Sequence, residues 1–420
     1  MYARLHSLTL RRYHLEKSHF QKLSLAAQKL LVSVTIYDFA YPLIFTFINA
    51  FIFRQTNDVT AVALYNLATF ITLPFAFWSN GLLLKKFPIH YVLSGGLIGQ
   101  GFVASMVFFF PFNTLTSLVI FGGLQGFPLG YYWANRNFIT LAVTKDENRN
   151  YFTGLEAMIG MLTGIITPFL LGLIIRAGEY TSTYEAEPAY RVLSIVALVL
   201  LAFGGWVFLS APVQNPNFKK LFIFGATSKW SYARLQEICI GYNTGMSFFL
   251  PALITFTLIG KEGSLGAIQS GAALVTASTM YGIARKAKPH HRLLLIKIAI
   301  LLLLSISSLF LLFFNQVTAI LYLLLVSFTA HLIWISANPI TLRVIDEEES
   351  GDATNNYAYV CDRELYLNIG RIAGVFSFLA LTYHFSDLVA LRFIPVLMGL
   401  FQVGVWWTAR QLVQTSSRSN

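Results

Sequence analysis

Residues 81–90 read GLLLKKFPIH, and residues 282–291 read GIARKAKPHH. In each stretch a glycine, basic residues, a proline and a histidine follow one long apolar segment and precede another. Further matches recur at a similar separation, about half the length of the chain. They are Ala134, Asn135, Thr140 and Leu141 with Ala337, Asn338, Thr341 and Leu342, and Tyr151, Glu156 and Gly164 with Tyr357, Asp362 and Gly370. The common order and separation predict a duplicated bundle, and duplicated membrane bundles usually alternate access to a site between their halves.

The composition is that of a membrane protein. Of the 420 residues, 56% are hydrophobic and 12% are charged, whereas soluble domains carry about 25% charged residues. The apolar runs are continuous, which favours helices over the alternating pattern of a membrane β-barrel, and a span needs about 20 residues. The sequence therefore predicts an all-α membrane protein. The predicted spans are 31–53, 59–84, 92–111, 114–141, 151–175, 190–210, 232–258, 264–284, 293–314, 317–342, 357–383 and 387–409.

The net charge of +11 is explained by membrane topology, and no nucleic-acid partner is predicted. With the N-terminus in the cytoplasm, the outer loops hold few of the basic residues. They are Arg54, Arg176, Arg191, Lys261 and Arg392. This asymmetry predicts a multi-pass protein of an inner or plasma membrane with both termini cytoplasmic.

The same spans predict the domain organisation. The expected parts are a basic cytoplasmic segment (1–30), a six-helix bundle (31–210), a cytoplasmic linker (211–231), a second six-helix bundle (232–410) and a cytoplasmic tail (411–420). Two acidic stretches, 177–189 and 346–356, are expected to be solvated loops.

Twelve spans in two halves, with a basic loop after spans two and eight, resemble the major facilitator superfamily over nearly the whole chain. The residues that fit the family's motifs in and after spans two, four and five are Gly81, Lys86, Gln125, Gly126, Pro168 and Gly172. Lys85 stands where the family has an acidic residue, and Pro88 replaces its second glycine. The resemblance implies two pseudo-symmetric six-helix bundles, a secondary transporter, and a cavity lined by spans one, four, seven and ten.

Ionisable residues within the spans are candidates for proton coupling. A charge there costs about 2.5–3.5 kcal/mol, so it should face a cavity or a partner. The candidates are Asp38, Glu156, Glu237, Asp362 and Glu364. A desolvated carboxylate takes up a proton at higher pH than in water, and a nearby arginine opposes this. Asp38 is the leading candidate, because it lies on a cavity-lining span one turn before Pro42.

The alternative for these acids is a set of structural ion pairs. By depth in the membrane, Arg136 is the nearest basic candidate for Asp38, and Arg234 lies one turn before Glu237. The gate candidates are Lys85, Lys86 and Arg363, with the two lysines predicted to form a cytoplasmic latch with Asp362 and Glu364.

Polar and aromatic residues of spans one, four, seven and ten are candidates for substrate binding. They are Tyr41, Tyr132, Trp133, Asn135, Arg136, Tyr242, Asn243, His331, Trp334 and Asn338. Such residues can stack on a substrate, and Arg136 can pair with a carboxylate or phosphate. The alternative is helix packing through polar contacts, and a lone membrane histidine such as His331 more often bonds a neighbour.

No motif predicts an enzyme, a cofactor or a metal site, and no phosphate-binding glycine loop with its lysine predicts ATP-driven transport. The aromatic cavity and the partial antiporter motif predict proton-coupled export of an amphipathic or drug-like compound. The expected partners are that small molecule, protons or another coupling ion, and the lipid bilayer, with the chain acting as a monomer. Uptake of a small polar or anionic solute and a lipid-like substrate stay open, and a receptor or scaffold without transport is a remote alternative.

Overall fold

The computed structural model describes residues 20–110, 114–144, 146–217, 220–221, 223–286, 289–348 and 356–417. Twelve long helices follow one another along this part of the chain. They are α1 (Leu25–Thr56), α2 (Val59–Leu83), α3 (Ile89–Phe109), α4 (Leu115–Val143), α5 (Asp146–Thr181), α6 (Ala186–Leu209), α7 (Ser228–Leu258), α8 (Glu262–Lys286), α9 (Arg292–Leu312), α10 (Gln316–Glu348), α11 (Asn356–His384) and α12 (Asp387–Ser417). Each helix coincides with one predicted span, so the predicted all-α architecture is confirmed.

Apolar composition and capping residues account for these helices. Ten of them are long and apolar enough to cross a membrane, where the backbone must form its own hydrogen bonds. At the start of α4, Thr114 Oγ1 accepts a hydrogen bond from Ser117 N at 3.2 Å. At the start of α7, Thr227 Oγ1 accepts one from Trp230 N at 3.1 Å. Each cap satisfies a backbone N–H that has no partner within its helix.

The first helix of each half is interrupted near its middle. In α1 a π-helical turn, Leu43–Phe47, directly follows Pro42. In α7 the regular helix ends at Ser247 and resumes at Leu250, with Pro251 in the first turn of the second segment. Proline lacks the N–H that the helical pattern requires. The two interruptions therefore lie in equivalent helices of the duplicated fold.

The expectation that both acidic stretches are loops is only partly right. Residues 182–185 form a short connection between α5 and α6, but both stretches also contain helix. The helix α5 continues through Glu179 to Thr181, and α10 continues through Asp346 to Glu348. Glutamate is a good helix former, so acidic charge alone does not end a helix. Helix α12 likewise extends to Ser417, into the predicted tail. The remainder of the second stretch, 349–355, and most of the basic N-terminal segment, 1–19, lie outside the described residues.

We call the end of the bundle at which α1 begins and α12 ends the termini side, and the opposite end the far side. The most extensive contacts between the halves are made by α5 with α8 and by α2 with α11. At the α5–α8 crossing, a side chain on Gly172 or Gly266 would collide with the backbone of the other helix. Only glycine permits this close approach. The candidate site lies in the termini-side half of the bundle, beside these contacts.

Candidate functional site

A cavity of about 280 Å³ lies between α1, α4 and α5 in the termini-side half. Its lining combines carboxylates, a guanidinium and aromatic rings. The lining residues are Val34, Tyr37, Asp38, Tyr132, Trp133, Arg136, Thr153, Glu156, Ala157 and Gly160. The structure thus brings together five of the predicted site residues, from three different helices. We refer to it as the α1–α4–α5 cavity.

The Arg136 guanidinium is fixed in this cavity by contacts with three side chains. Its Nη2 donates to Glu156 Oε1 in an ion pair between α4 and α5. Its Nη1 donates to Asn137 Oδ1 at 3.1 Å, and its guanidinium lies over the Trp133 ring, 5.3 Å from the centroid. The side chains of Arg136 and Glu156 are 21% and 15% exposed, so the pair is mostly shielded from water. Its charges therefore interact more strongly than those of a surface pair.

Asp38 is the carboxylate of this cavity that has no partner of its own. In the described part of the chain its carboxylate forms no ion pair and no hydrogen bond. Gly160 on α5 faces it, and a Cβ built on that glycine would lie 3.6 Å from Asp38 Oδ2. The alternative in which Asp38 forms a structural ion pair with Arg136 is not observed in this conformation, because the guanidinium is bound to Glu156. Asp38 instead presents its carboxylate to the cavity.

Aromatic rings form the wall next to Asp38. Tyr37 stacks on Tyr132 with ring centroids 4.1 Å apart and an interplanar angle of 28°. Trp133 meets Tyr37 edge-on at 6.0 Å, and Tyr41 packs on Phe45 at 4.4 Å. The Tyr37 hydroxyl is buried and has no hydrogen-bond partner among the described residues. The wall thus offers ring faces and a hydroxyl at the same place as the carboxylate.

In the second half, Glu237 is buried and paired with Arg363. Arg363 Nε donates to Glu237 Oε1 at 2.9 Å, and Thr341 Oγ1 donates to the same oxygen at 3.2 Å. Arg363 lies over the Trp334 ring, 5.3 Å from the centroid. Glu237 is 1% exposed. The carboxylate is therefore placed as one member of a buried ion pair between α7 and α11.

The two acidic candidates on α11, Asp362 and Glu364, also have arginines of their own. Arg234 Nε donates to Asp362 Oδ2 at 2.7 Å, and its Nη2 donates to Oδ1 at 2.8 Å. Neutralisation of Glu237 by Arg234, the alternative suggested by their spacing, is not observed, because Arg234 is bound to Asp362 through both contacts. Arg371 Nη1 donates to Glu364 Oε1 at 2.7 Å.

Several substrate-binding candidates lie within the helix packing instead of the cavity. Asn135 is fully buried and exchanges hydrogen bonds with Asn80 of α2 at 2.7 and 3.2 Å. Tyr242 stacks on Phe401 at 3.8 Å, and Asn243 Nδ2 donates to Met398 O at 3.2 Å. These contacts are those of residues that hold helices together.

The candidates on α10 have mixed surroundings. His331 is exposed, and its Nδ1 lies 2.8 Å from Ser327 O within the same helix. Trp334 is 42% exposed. Asn338 Oδ1 is buried without a hydrogen-bond partner in the described chain. Only Trp334, through Arg363, contacts a charged group of the second half.

The gate candidates Lys85 and Lys86 lie at exposed positions after α2. Asp362 and Glu364, their predicted partners, are instead bound to Arg234 and Arg371. The predicted latch is therefore not formed in this structure. Contact between the halves on the termini side is made by Asn80 Nδ2, which donates to Tyr357 Oη at 2.7 Å.

A charged cluster on the far side joins the two halves, and no pattern in the sequence predicts it. Arg54 at the end of α1 pairs with Glu179 of α5, and its Nη1 donates to Glu262 Oε1 of α8 at 3.0 Å. Tyr190 Oη donates to the same carboxylate at 3.3 Å. Glu262 is 1% exposed. Contacts between residues so distant in sequence can be predicted only when the arrangement of the helices is known.

Comparison with known proteins agrees with this architecture. The family model described as Major Facilitator Superfamily matches residues 30–362. The uncharacterized protein YqgE of Bacillus subtilis (strain 168) is 25% identical over 378 residues, which cover 88% of this chain and 85% of that protein. An uncharacterized protein in the sodM 3'region of Geobacillus stearothermophilus is 30% identical over 167 residues, covering 40% of this chain and 76% of that protein.

Two solved structures share the fold. The crystal structure of a D-xylose–proton symporter has a TM-score of 0.65 and 11% identity, with 90% of this chain and 96% of that chain covered. The structure of a variant of the nucleoside transporter NupG has a TM-score of 0.64 and 12% identity, with 92% and 99% covered. At these identities the likeness concerns the fold alone.

Proposed function

The chain belongs to the major facilitator superfamily, and on that premise we propose that it exports an amphipathic compound in exchange for protons. It is a multi-pass membrane protein with the fold of a secondary transporter. The observation that carries the proposal is the position of Asp38. This carboxylate lies in a membrane cavity, beside an arginine that is already bound to Glu156.

The arrangement gives a physical route from protonation to conformation. Ionised Asp38 attracts the Arg136 guanidinium and so competes with Glu156, whereas protonated Asp38 does not. Because Asp38, Arg136 and Glu156 belong to α1, α4 and α5, a change of partner alters how these helices are held together. A proton that binds one conformation more tightly than another shifts the equilibrium between them.

The far-side cluster supports a closed far side in this conformation. Arg54 and Glu262 join the halves through a buried ion pair, and Asn49 Nδ2 donates to Phe248 O at 2.9 Å between α1 and α7. With the termini side in the cytoplasm, as the charge asymmetry predicts, the α1–α4–α5 cavity would be loaded from the cytoplasm. Opening the far side then requires that these contacts break.

Uptake of an anionic solute has less support than export. Its best argument was the positive charge of Arg136, and that charge is offset by Glu156. A lipid-like substrate is favoured by one observation, a second cavity of about 290 Å³ between α5 and α8. Apolar side chains line most of it, including Ile166, Phe169 and Leu274.

The test begins with an unbiased ligand screen. Purified protein is heated with a compound library, because a ligand that binds the folded state raises the melting temperature. Compounds that stabilise the protein are then assayed in proteoliposomes with and without a pH gradient. We expect uphill movement of the compound only with the gradient, and loss of that movement when a protonophore is added.

Two results would contradict parts of the proposal. Uphill movement that ignores the pH gradient but follows a sodium gradient would refute proton coupling while leaving transport intact. A compound that stabilises the protein but never crosses the membrane would indicate a receptor or scaffold. A phospholipid as the strongest stabiliser would favour the lipid-like alternative.

A further inference from the structure

The charges of the α1–α4–α5 cavity do not balance. Asp38 and Glu156 are two carboxylates, and Arg136 is the one guanidinium among the lining residues. With both carboxylates ionised, the cavity carries one negative charge in excess. In the second half, Glu237, Asp362 and Glu364 each have a separate arginine. A net charge within a membrane span is costly, so it favours a mobile cation in the cavity.

The excess charge is localised on Asp38. Glu156 is the residue in direct contact with Arg136, whereas Asp38 has no ion pair in the chain as described. The titratable and charged groups that face Asp38 are few. They are Tyr37 and Tyr41 on its own helix, Tyr132 and Arg136 on α4, and Glu156 on α5, with Arg371 of α11 facing Tyr41. Only Arg136 among the groups that face Asp38 directly is a cation.

The aromatic wall beside Asp38 supplies the other component of a cation site. Ring faces attract cations within about 6 Å, and quaternary ammonium groups are recognised in this way. The cavity already shows the effect, because the Arg136 guanidinium lies 5.3 Å from the Trp133 centroid. Tyr37 and Tyr132 line the same space beside Asp38. A hydrated metal ion would gain little from such a wall, whereas an organic cation with an apolar body would.

We propose that the α1–α4–α5 cavity binds an organic monocation, and that this cation and a proton compete for Asp38. The inference rests on the proposed function and names its substrate class: an aliphatic or aromatic ammonium-type cation whose apolar body packs against Tyr37, Tyr132 and Trp133. Gly160 leaves the space beside the carboxylate in which the charged group would lie. Because Asp38 can hold either the proton or the organic cation, but not both at once, competition links the movement of one to the opposite movement of the other.

The test measures binding, independently of transport, on purified full-length protein. The probe is benzyltrimethylammonium, a permanent cation, so any pH dependence must come from the protein; benzenesulfonate is its anionic counterpart. We expect the cation to bind about tenfold more tightly near pH 8 than near pH 6, with proton release on binding. Benzenesulfonate is expected to bind at least about tenfold more weakly at either pH.

Variants locate the site. Asp38→Asn should weaken cation binding about tenfold near pH 8 and abolish its pH dependence. Asp38→Glu, which keeps the charge, should retain both. Gly160→Leu changes no charge but fills the space, and it should also weaken binding about tenfold. The control is Asp387→Asn, the same chemical change at an exposed position at the start of α12, and it should behave as the parent.

Each contrary outcome overturns the inference. These outcomes are equal or tighter binding of benzenesulfonate, pH-independent binding of the cation, absence of cation binding, or binding that survives both Asp38→Asn and Gly160→Leu. If Asp38→Asn does not fold, Asp38→Glu and Gly160→Leu still decide the question. Failure of the proposed function looks different, because the cation would bind as expected but would not be moved in proteoliposomes.

Discussion

In each half of the molecule an arginine guanidinium lies over a tryptophan ring, but the number of carboxylates per arginine differs between the halves. Arg136 lies over Trp133 in the first half and Arg363 over Trp334 in the second, each 5.3 Å from the ring centroid. In the second half Glu237 is bound to Arg363, and the two other acids have their own arginines. In the first half Arg136 is the one guanidinium beside two carboxylates, and it is bound to Glu156 and not to Asp38.

This difference separates two roles that the sequence could not tell apart. A buried pair with matched charges resists change, because removing either member leaves an unpaired charge. A carboxylate beside an occupied arginine can gain or lose a proton without leaving another group unpaired. We therefore propose that the first half serves coupling and the second half structural support, and four predictions test this proposal.

The largest effect is expected for Asp38→Asn, which keeps the shape of the side chain and removes its titration. Gradient-driven transport should be abolished, whereas the melting temperature should remain close to that of the parent. Exchange of substrate should also remain, provided that it is measured at a substrate concentration high enough to saturate the weakened site. The measurement is substrate accumulation in proteoliposomes at equal protein content, with Asp387→Asn as the matched control. Uphill transport by Asp38→Asn at the parental rate would move the coupling role to Glu156 or away from carboxylates altogether.

A large loss of stability is expected for Arg363→Met in the second half. Glu237 is 1% exposed, and leaving a buried carboxylate unpaired costs about 3–5 kcal/mol. Arg136→Met should cost less, because Glu156 borders the cavity and is 15% exposed. The measurement is the free energy of unfolding in detergent micelles.

Two further variants serve as controls for this stability experiment. Glu237→Gln added to Arg363→Met should restore most of the loss, since no charge then remains unpaired. Lys229→Met breaks a partly exposed pair with Glu347 and should cost no more than about 1 kcal/mol. If Arg363→Met and Arg136→Met destabilise the protein equally, the assignment of structural support to the second half is wrong.

The sequence predicted the fold well because hydrophobic length and helix caps are local signals. Thr114 and Thr227 begin helices within a few residues of the predicted bounds. The sequence also identified which acids lie in the membrane. It could not predict their partners, because a partner depends on how each helix is rotated about its axis. Arg234 illustrates this: it is close to Glu237 in sequence but contacts Asp362 across the α7–α11 interface.

An intermediate effect is expected for Arg54→Gln on the far side. The change leaves buried Glu262 without its cation and removes the contact with Glu179, so the conformation open on the far side should become more populated. Phe256 packs on Phe53 between the halves at 6.0 Å. In a Phe256→Cys background, the rate of maleimide labelling should rise about tenfold, which corresponds to about 1.4 kcal/mol.

Arg191→Gln is the matched control for that experiment. Arg191 lies on the same side and also pairs with a glutamate, but its partner Glu187 belongs to the same helix. Labelling in this variant should equal that of the parent. Equal acceleration by both variants would show that general loosening, and not the ion pair between the halves, controls access from the far side.

The smallest effect is expected for Lys85→Glu, which tests the predicted latch between Lys85 and the acids of α11. Lys85 is exposed, and Glu364 is bound to Arg371 at 2.7 Å. Lys85→Glu should therefore lower the initial transport rate less than about twofold, as expected for a surface change within about 0.5 kcal/mol.

Glu364→Lys should be more harmful than Lys85→Glu, because it places a second cation beside Arg371. Since the two sites share no partner here, the double variant should be additive within about 0.5 kcal/mol. Recovery of transport in the double variant would show that the lysine meets α11 in another conformation of the cycle, and the second half would then take part in gating as well as in structural support.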